Sequence, residues 1–221
     1  MFNKKTVIIA ATLSVASFTA QAEVGDISIG VGAGLTQGTG FEVGYQISDK
    51  VGVRAVSYSG ELSQTETMDG INYNIALKTK TPGVMLDFYP TDGGSLRLTV
   101  GAVDNGNSLS ATASAASSYT IGGTLYTAAQ VGSLKSEVAF EGITPYLGLG
   151  YRMFATERLS IDFDAGLLIG SAPGVTMTAD GTLANDSAFM AELEAERKSL
   201  EGDLSSFKYM PMAKIALTYK F

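Results

Sequence analysis

Residues 159–169 read Leu-Ser-Ile-Asp-Phe-Asp-Ala-Gly-Leu-Leu-Ile. Leu159, Ile161, Phe163, Ala165, Leu167 and Ile169 occupy odd positions, and Ser160, Asp162, Asp164 and Gly166 occupy even ones. A period of two places the first set on one face of a β-strand and the second on the other. The strand therefore has an apolar face opposite a small or polar one.

The same alternation recurs along the chain. Ile27, Ile29, Val31, Ala33 and Leu35 alternate with Ser28, Gly30, Gly32 and Gly34; Phe41, Val43, Tyr45 and Ile47 with Glu42, Gly44 and Gln46. Leu96, Leu98 and Val100 alternate with Arg97, Thr99 and Gly101, and Ala213, Ile215, Leu217, Tyr219 and Phe221 with Lys214, Ala216, Thr218 and Lys220. The runs predict eight strands, near 26–35, 40–48, 51–66, 71–90, 96–113, 134–153, 159–180 and 207–221. Short connections at 48–50, 91–95 and 154–158 alternate with connections at the other end. Two of the latter are tight, 36–39 and 67–70, where Asp69-Gly70 is a hairpin signal. Two are long, 114–133 and 181–206. Short turns at one end and longer loops at the other are the pattern of an antiparallel transmembrane β-barrel, with both termini in the periplasm.

Tyr45, Phe88 with Tyr89, Tyr151 with Phe154, and Tyr219 with Phe221 recur at one level, as an interfacial girdle does. One strand changes parity. Tyr73, Ile75 and Leu77 are odd, whereas Val84, Leu86 and Phe88 are even, and Pro82-Gly83 between them predicts a bulge. Residues 186–204 depart from the strand pattern. Phe189, Leu193, Leu200 and Leu204 are spaced for an amphipathic helix in the last external loop, with Asp186 or Asn185 as its cap.

The first 22 residues read as a secretory leader: Lys4 and Lys5, an apolar stretch to Phe18, and an Ala20-Gln21-Ala22 cleavage site before Glu23. Residues 23–221 then form the barrel domain. The whole chain carries −7, and without Lys4 and Lys5 the mature part carries 13 − 22 = −9. So acidic a chain is a poor nucleic-acid binder. Cys is absent, which removes any disulfide framework. His is absent too, which removes the usual general base near neutral pH and the usual transition-metal ligand. No catalytic, cofactor-binding or metal-ligating set is expected. Gly30, Gly32 and Gly34 precede no helix and read as room on an inner wall rather than as a phosphate loop.

With these features the chain resembles small Gram-negative outer-membrane β-barrel proteins. The resemblance rests on Tyr119 to Tyr126 (YTIGGTLY), Val131 to Leu134 (VGSL), Pro145 to Tyr151 (PYLGLGY) and Phe207 to Pro211 (FKYMP). It extends more distantly to CarO-type barrels, described as uptake channels for small basic amino acids. It implies fold and outer-membrane location, and it supplies no matched substrate residues. The C-terminal Leu217, Tyr219 and Phe221 are similar to the signal with which such barrels engage the barrel-assembly machinery.

The alternation sends Glu42, Arg54, Asp87, Arg97, Arg152, Asp162, Asp164, Lys214 and Lys220 inward. Eight strands enclose only side chains or one small ligand, so these charges are expected to pair as a plug. Two functions stay open. One is a non-enzymatic structural or surface-interaction protein in contact with outer-membrane lipid. The other is a narrow channel for a small solute, cationic by the acidic balance. Long strands three to seven beside a short first hairpin add a third reading, lateral entry of a small apolar solute. Terminal sequencing of protein from outer-membrane fractions should find Glu23 first; a terminus that retains Lys4 and Lys5 would refute processing at this site.

Overall fold

The computed structural model describes residues 23–68, 71–91, 94–115 and 118–221. The leader with Ala22, and the Asp69-Gly70 turn, lie outside the described residues. In chain order the strands are β1 (Ile27–Gly34), β2 (Gly38–Ser48), β3 (Val51–Met68), β4 (Ile71–Lys80), β5 (Gly83–Phe88), β6 (Leu96–Asp104) and β7 (Ser108–Ala115). A hairpin of β8 (Ser118–Ile121) and β9 (Thr124–Thr127) leads into α1 (Ala128–Val131). Then come β10 (Ser133–Ala139), β11 (Ile143–Phe154), β12 (Leu159–Ile169), β13 (Gly174–Ala179), α2 (Ser187–Asp203), a 3₁₀ turn over Leu204–Ser206, and β14 (Tyr209–Lys220).

Eight strands close a ring in the order β3-β2-β1-β14-β12-β11-β6-β5, and β5 pairs back onto β3 from Val51↔Phe88 to Val56↔Gly83. Every pairing is antiparallel, and the first and last strands meet from Ser28↔Lys220 to Gly34↔Lys214. Closure leaves no sheet edge within the ring. Above it, β4, β7, β10 and β13 continue β5, β6, β11 and β12. With the upper half of β3 they form a second, five-stranded tier, β3-β4-β7-β10-β13, on one side only.

The two tiers have opposite polarity. In the ring, large apolar residues face outward: Val31, Phe41, Val43, Leu86, Val100, Leu149 and Leu217 are all more than two-fifths exposed, while Arg54, Asp87, Arg97 and Asp162 face inward. In the upper tier the outer face carries Asn72, Asn74, Lys78, Ser110, Thr112 and Lys135, and the inner face is mostly apolar, with Gln64 and Glu66 on its β3 edge. This inversion explains the parity change read as a bulge at Pro82-Gly83. There is no slip there. Ser59↔Lys80 and Val56↔Gly83 keep one register, the Thr81 amide donates to the Tyr58 carbonyl (2.9 Å), and the Asp104 amide donates to the Pro82 carbonyl (2.8 Å). Odd residues face inward along the whole of β4 and β5; apolar side chains change sides because the environment does. The slip lies elsewhere. Between Tyr146↔Leu168 and Ala139↔Gly174, one strand advances seven residues and its neighbour six. Gly170 to Pro173 absorb the difference.

The inner face of the upper tier packs beneath the inserted segments. Ala113, Tyr119, Ile121, Val131, Phe189 and Leu193 form a buried cluster, with Ile71, Tyr73, Leu134 and Met177 against it. The α2 helix occurs where the spacing predicts it, and the Asp186 carboxylate caps it by accepting from the amides of Ala188 (3.1 Å) and Phe189 (2.9 Å). Phe189 meets the Tyr126 ring edge-on, centroids 5.1 Å apart. The described part of the long loop 114–133 holds more regular structure than its composition predicts. Its hairpin turns at Gly122 (φ 58°) and Gly123 (φ 84°), a two-residue connection that requires left-handed backbone at both positions.

Phe189→Ala should remove about 3–5 kcal/mol of packing from this cap. Amide exchange should quicken in α2 and the β8–β9 hairpin while ring amides keep their protection. Loss of protection spread evenly round the ring would show that cap and ring open together.

Candidate functional site

Inward positions on seven strands bring together eight of the nine charged residues singled out by alternation. Glu42 comes from β2, Arg54 from β3, Asp87 from β5, Arg97 from β6, Arg152 from β11, Asp162 and Asp164 from β12, and Lys214 from β14. The strand register supplies the juxtaposition: Arg152 is paired with Asp162, and Asp164 with Lys214.

Arg54 is the hub. Its Nε and Nη2 grip Asp87 at 2.6 and 3.1 Å, and its Nη1 reaches Glu42 at 2.6 Å. Arg97, almost wholly buried, donates from Nη2 to Asp164 at 2.6 Å, and its Nε and Nη1 stand 3.7 Å from Asp87 and Asp162. Arg152 holds Asp162 by two bonds of 2.7 and 3.0 Å. Lys214 Nζ contacts Glu42 and lies 2.9 Å from Asp164. Four cations thus face four anions. Neutral donors complete the set: the Thr99 hydroxyl to Asp87 (2.6 Å), the Thr218 hydroxyl to Asp162 (3.0 Å) and the Tyr58 hydroxyl to Glu42 (2.7 Å). Buried charges persist when paired and hydrogen-bonded in this way.

Space for the network comes from small inward residues. A Cβ at Gly150 would lie 2.6 Å from Asp164 Oδ1 and 2.8 Å from Arg97 Nε. A Cβ at Gly32 would lie 2.9 Å from the Tyr58 hydroxyl. Gly150 therefore gives up side-chain volume to the crossing charges, and Gly32 gives it up to Tyr58 and the neighbouring β14.

Two solved structures match this fold over nearly the whole of both chains. Acinetobacter baumannii CarO2 superposes with a TM-score of 0.62 at 16% identity, covering 90% of this chain and 100% of its own. Acinetobacter baumannii CarO superposes with a TM-score of 0.60 at 17% identity, covering 91% and 99%. The chain has the CarO barrel fold. Neither a protein-family model nor a curated protein sequence matches it.

Within the barrel the network is roofed by a second layer. Val56, Tyr58, Met85, Val103, Tyr146, Leu168 and Met212 are buried together in the lumen on the side toward α2. Toward the termini, a pocket opens between the network and the chain ends, lined among others by Asp26, Tyr89, Arg152, Arg158 and Lys220.

Two residues depart from the sequence reading. Lys220 stands apart from the network: its Nζ pairs with Asp26 at 3.0 Å near the mouth, about a quarter exposed. Tyr89 is not in the girdle with Phe88. It is 4% exposed, and the Arg152 guanidinium lies 5.8 Å from its ring centroid. Alternation counts charges and overlooks neutral partners, so it misses Tyr58, Thr99 and Thr218. Their parity was the available signal, since each shares a strand face with Arg54, Arg97 or Lys214.

Asp162→Ala should destabilise the barrel by roughly 3–5 kcal/mol, because it strands Arg152 and withdraws the counter-charge facing Arg97. The urea midpoint of protein folded into vesicles measures this. A midpoint within experimental scatter of wild type would mean that water already solvates these charges.

Proposed function

We propose that this protein is a non-enzymatic integral outer-membrane barrel of a Gram-negative bacterium, closed to ions, whose helix-bearing end faces outward and carries a surface-interaction role. The observation that carries the reading is the double closure of the lumen. A neutral network of four cations and four anions crosses it, and an apolar layer lies directly above. Ions would have to break the first and dewet the second.

The apolar belt round the ring supports the membrane reading. Soluble monomers rarely expose so much contiguous apolar surface, and alternation of apolar-out with polar-in is the signature of strands that cross lipid. Tyr45, Phe88, Tyr151 and Tyr219, each about half exposed, cluster toward the end that carries the termini, where an interfacial girdle belongs. The secretory leader and the terminal Leu217, Tyr219 and Phe221 support export and engagement of the assembly machinery. The polar outer wall of the upper tier suits water and supports a position of the tier and its cap outside the bilayer.

Refolded mature protein in a planar bilayer should carry no steady single-channel current. Asp162→Ala, measured beside it, should pass more current if the network is the barrier. A clear cation-selective wild-type current would overturn the closed reading and favour uptake of small cationic solutes.

A further inference from the structure

The inner face of the upper tier bears one apolar row in unbroken register. Leu62 pairs with Leu77, Leu77 with Leu109, Leu109 with Val138 and Val138 with Val175. At strand spacings of ~4.8 Å the row runs ~19 Å across five strands. Only one half is covered. Val175, beside α2, is 4% exposed, whereas Leu109 is 45% and Leu62 72% exposed; Ile75, one row above, is 40% exposed. The outer faces of the same strands are polar at Glu61, Lys78, Ser108 and Ser110, so the row faces the concave side, where Gln64 and Glu66 of β3 are the polar neighbours above Leu62.

The uncovered half opens where the wall is low. Pairing of β2 with β3 stops at Thr39↔Ser59, and beyond it β3 pairs only with β4 among the described residues. Two glycines meet at this rim. A Cβ on Gly60 would sit 3.0 Å from the Gly38 Cα, and one on Gly38, at φ +77°, would strike the Ser59 carbonyl. The rim is thus lowest at two glycines that carry no side chains, with Thr79 beside them. The lipid-facing belt at Leu35 and Phe41 lies on its outer side, and Leu62 lies two residues above it on the inner side. Below, the apolar lumen layer and the charge network bar the way through the ring.

We propose that Leu62, Ile75, Leu77 and Leu109 form a capture site for a small aliphatic solute from the external water, released sideways into the outer leaflet over the Gly38–Gly60 notch. Water is the source because burial on this row gains free energy from water, whereas lipid tails are already as apolar as leucine. The same asymmetry makes the leaflet a free exit. The proposal rests on the outward orientation of the helix-bearing end.

The probe is a diazirine-bearing decanol, added in water to the full mature chain refolded in phosphatidylcholine vesicles. Cross-linked residues are mapped by mass spectrometry, with labelling of Val31 and Leu149 on the belt as the internal standard. Trough label is expected at Leu62, Ile75 and Leu109 and should be displaced by excess plain decanol. Leu62→Glu, at a position exposed enough to leave folding intact, and Leu109→Glu should each lower trough label by at least about tenfold relative to belt label. Heat-modifiable migration reports that both variants fold. Label confined to the belt, or trough label indifferent to both substitutions, overturns the proposal. A barrel that conducts ions and still labels in the trough sinks the closed-lumen reading and sustains this one.

Discussion

A ring of eight antiparallel strands encloses a space that side chains fill, with no room for hydrated charges to pass one another. Every inward charge must therefore find its counter-charge across the lumen. Arg54, Arg97, Arg152 and Lys214 do so against Glu42, Asp87, Asp162 and Asp164. The arrangement is a mesh rather than four independent pairs. Arg54 touches Asp87 and Glu42, and Asp164 is shared by Arg97 and Lys214. Because strands from all round the ring contribute, the mesh fixes the cross-section as well as neutralising it. The glycines at 32 and 150 follow from the same constraint, since a methyl group at either would occupy volume the mesh or Tyr58 needs.

The second organising feature is the exchange of faces between tiers. Below, lipid-compatible side chains point out and charges point in; above, Asn72, Asn74, Lys78 and Thr112 point out while Ile71, Tyr73, Ala113 and Leu134 pack inward against Phe189 and its neighbours. No change in backbone register is needed in β4–β5 or β6–β7, because side chains follow the solvent while the ladder runs straight through. The level at which the polarity flips, near Thr81 on one strand and Asn105 on the next, marks where the apolar belt ends. Thr79, Thr81, Asn105, Asn107 and Thr144 form a buried polar collar at that level, between the apolar layer of the lumen and the apolar cap.

Strand number, pairing order and inward charge were legible because each rests on local alternation. The helix was legible because Phe189 and Leu193 keep helical spacing after the cap at Asp186. What alternation could not supply was the reason for a parity change. A slip and an inversion of environment leave the same mark at Pro82, and only the continued pairing of Thr81 with Tyr58 separates them. At Gly170 to Pro173 a real slip left a fainter mark, since Leu167, Leu168 and Ile169 are apolar on both parities. Tyr89 misled because an aromatic at the end of a strand fits a girdle and a lumen equally well. The β8–β9 hairpin was readable in Gly122-Gly123, but the surrounding Ser, Ala and Thr have too little bulk to announce strands by alternation. Nor could a list of charged residues show which would meet, because Arg54 and Asp164 are brought together by closure and not by sequence proximity.

The unequal tier also explains the helix. Beyond Ile169, β14 no longer accompanies the strand that runs from β12 into β13, and the chain that leaves β13 at Ala179 must come back to Tyr209 beside Ile169. The ten residues from Gly170 to Ala179 rise ~33 Å at strand geometry. Seventeen residues of α2 at ~1.5 Å each, with one 3₁₀ turn at ~2 Å per residue, descend ~31 Å. A helix of this length is what returns the chain to the rim without slack. It also stands where a neighbouring strand would. Arg197 Nη1 donates to the Val175 carbonyl at 3.2 Å while Nε and Nη2 hold Glu194 at 2.7 and 2.8 Å. The hydrogen bonds from Arg197 hold the Glu194 carboxyl down to about 2, so the clasp persists until strongly acid pH, lost only as pH falls through that value. One edge of the upper tier is thereby covered by a helix, a common protection of exposed strand edges. The other edge, β3 beyond Gly60, has no such cover among the described residues and carries Glu61 and Glu66, the charge that discourages another strand from adding on. The asymmetry of cover follows from connectivity: β3 and β4 are consecutive and pair up to Met68↔Ile71, so among the described residues no chain passes down the free side of β3, and the inner face there stays open.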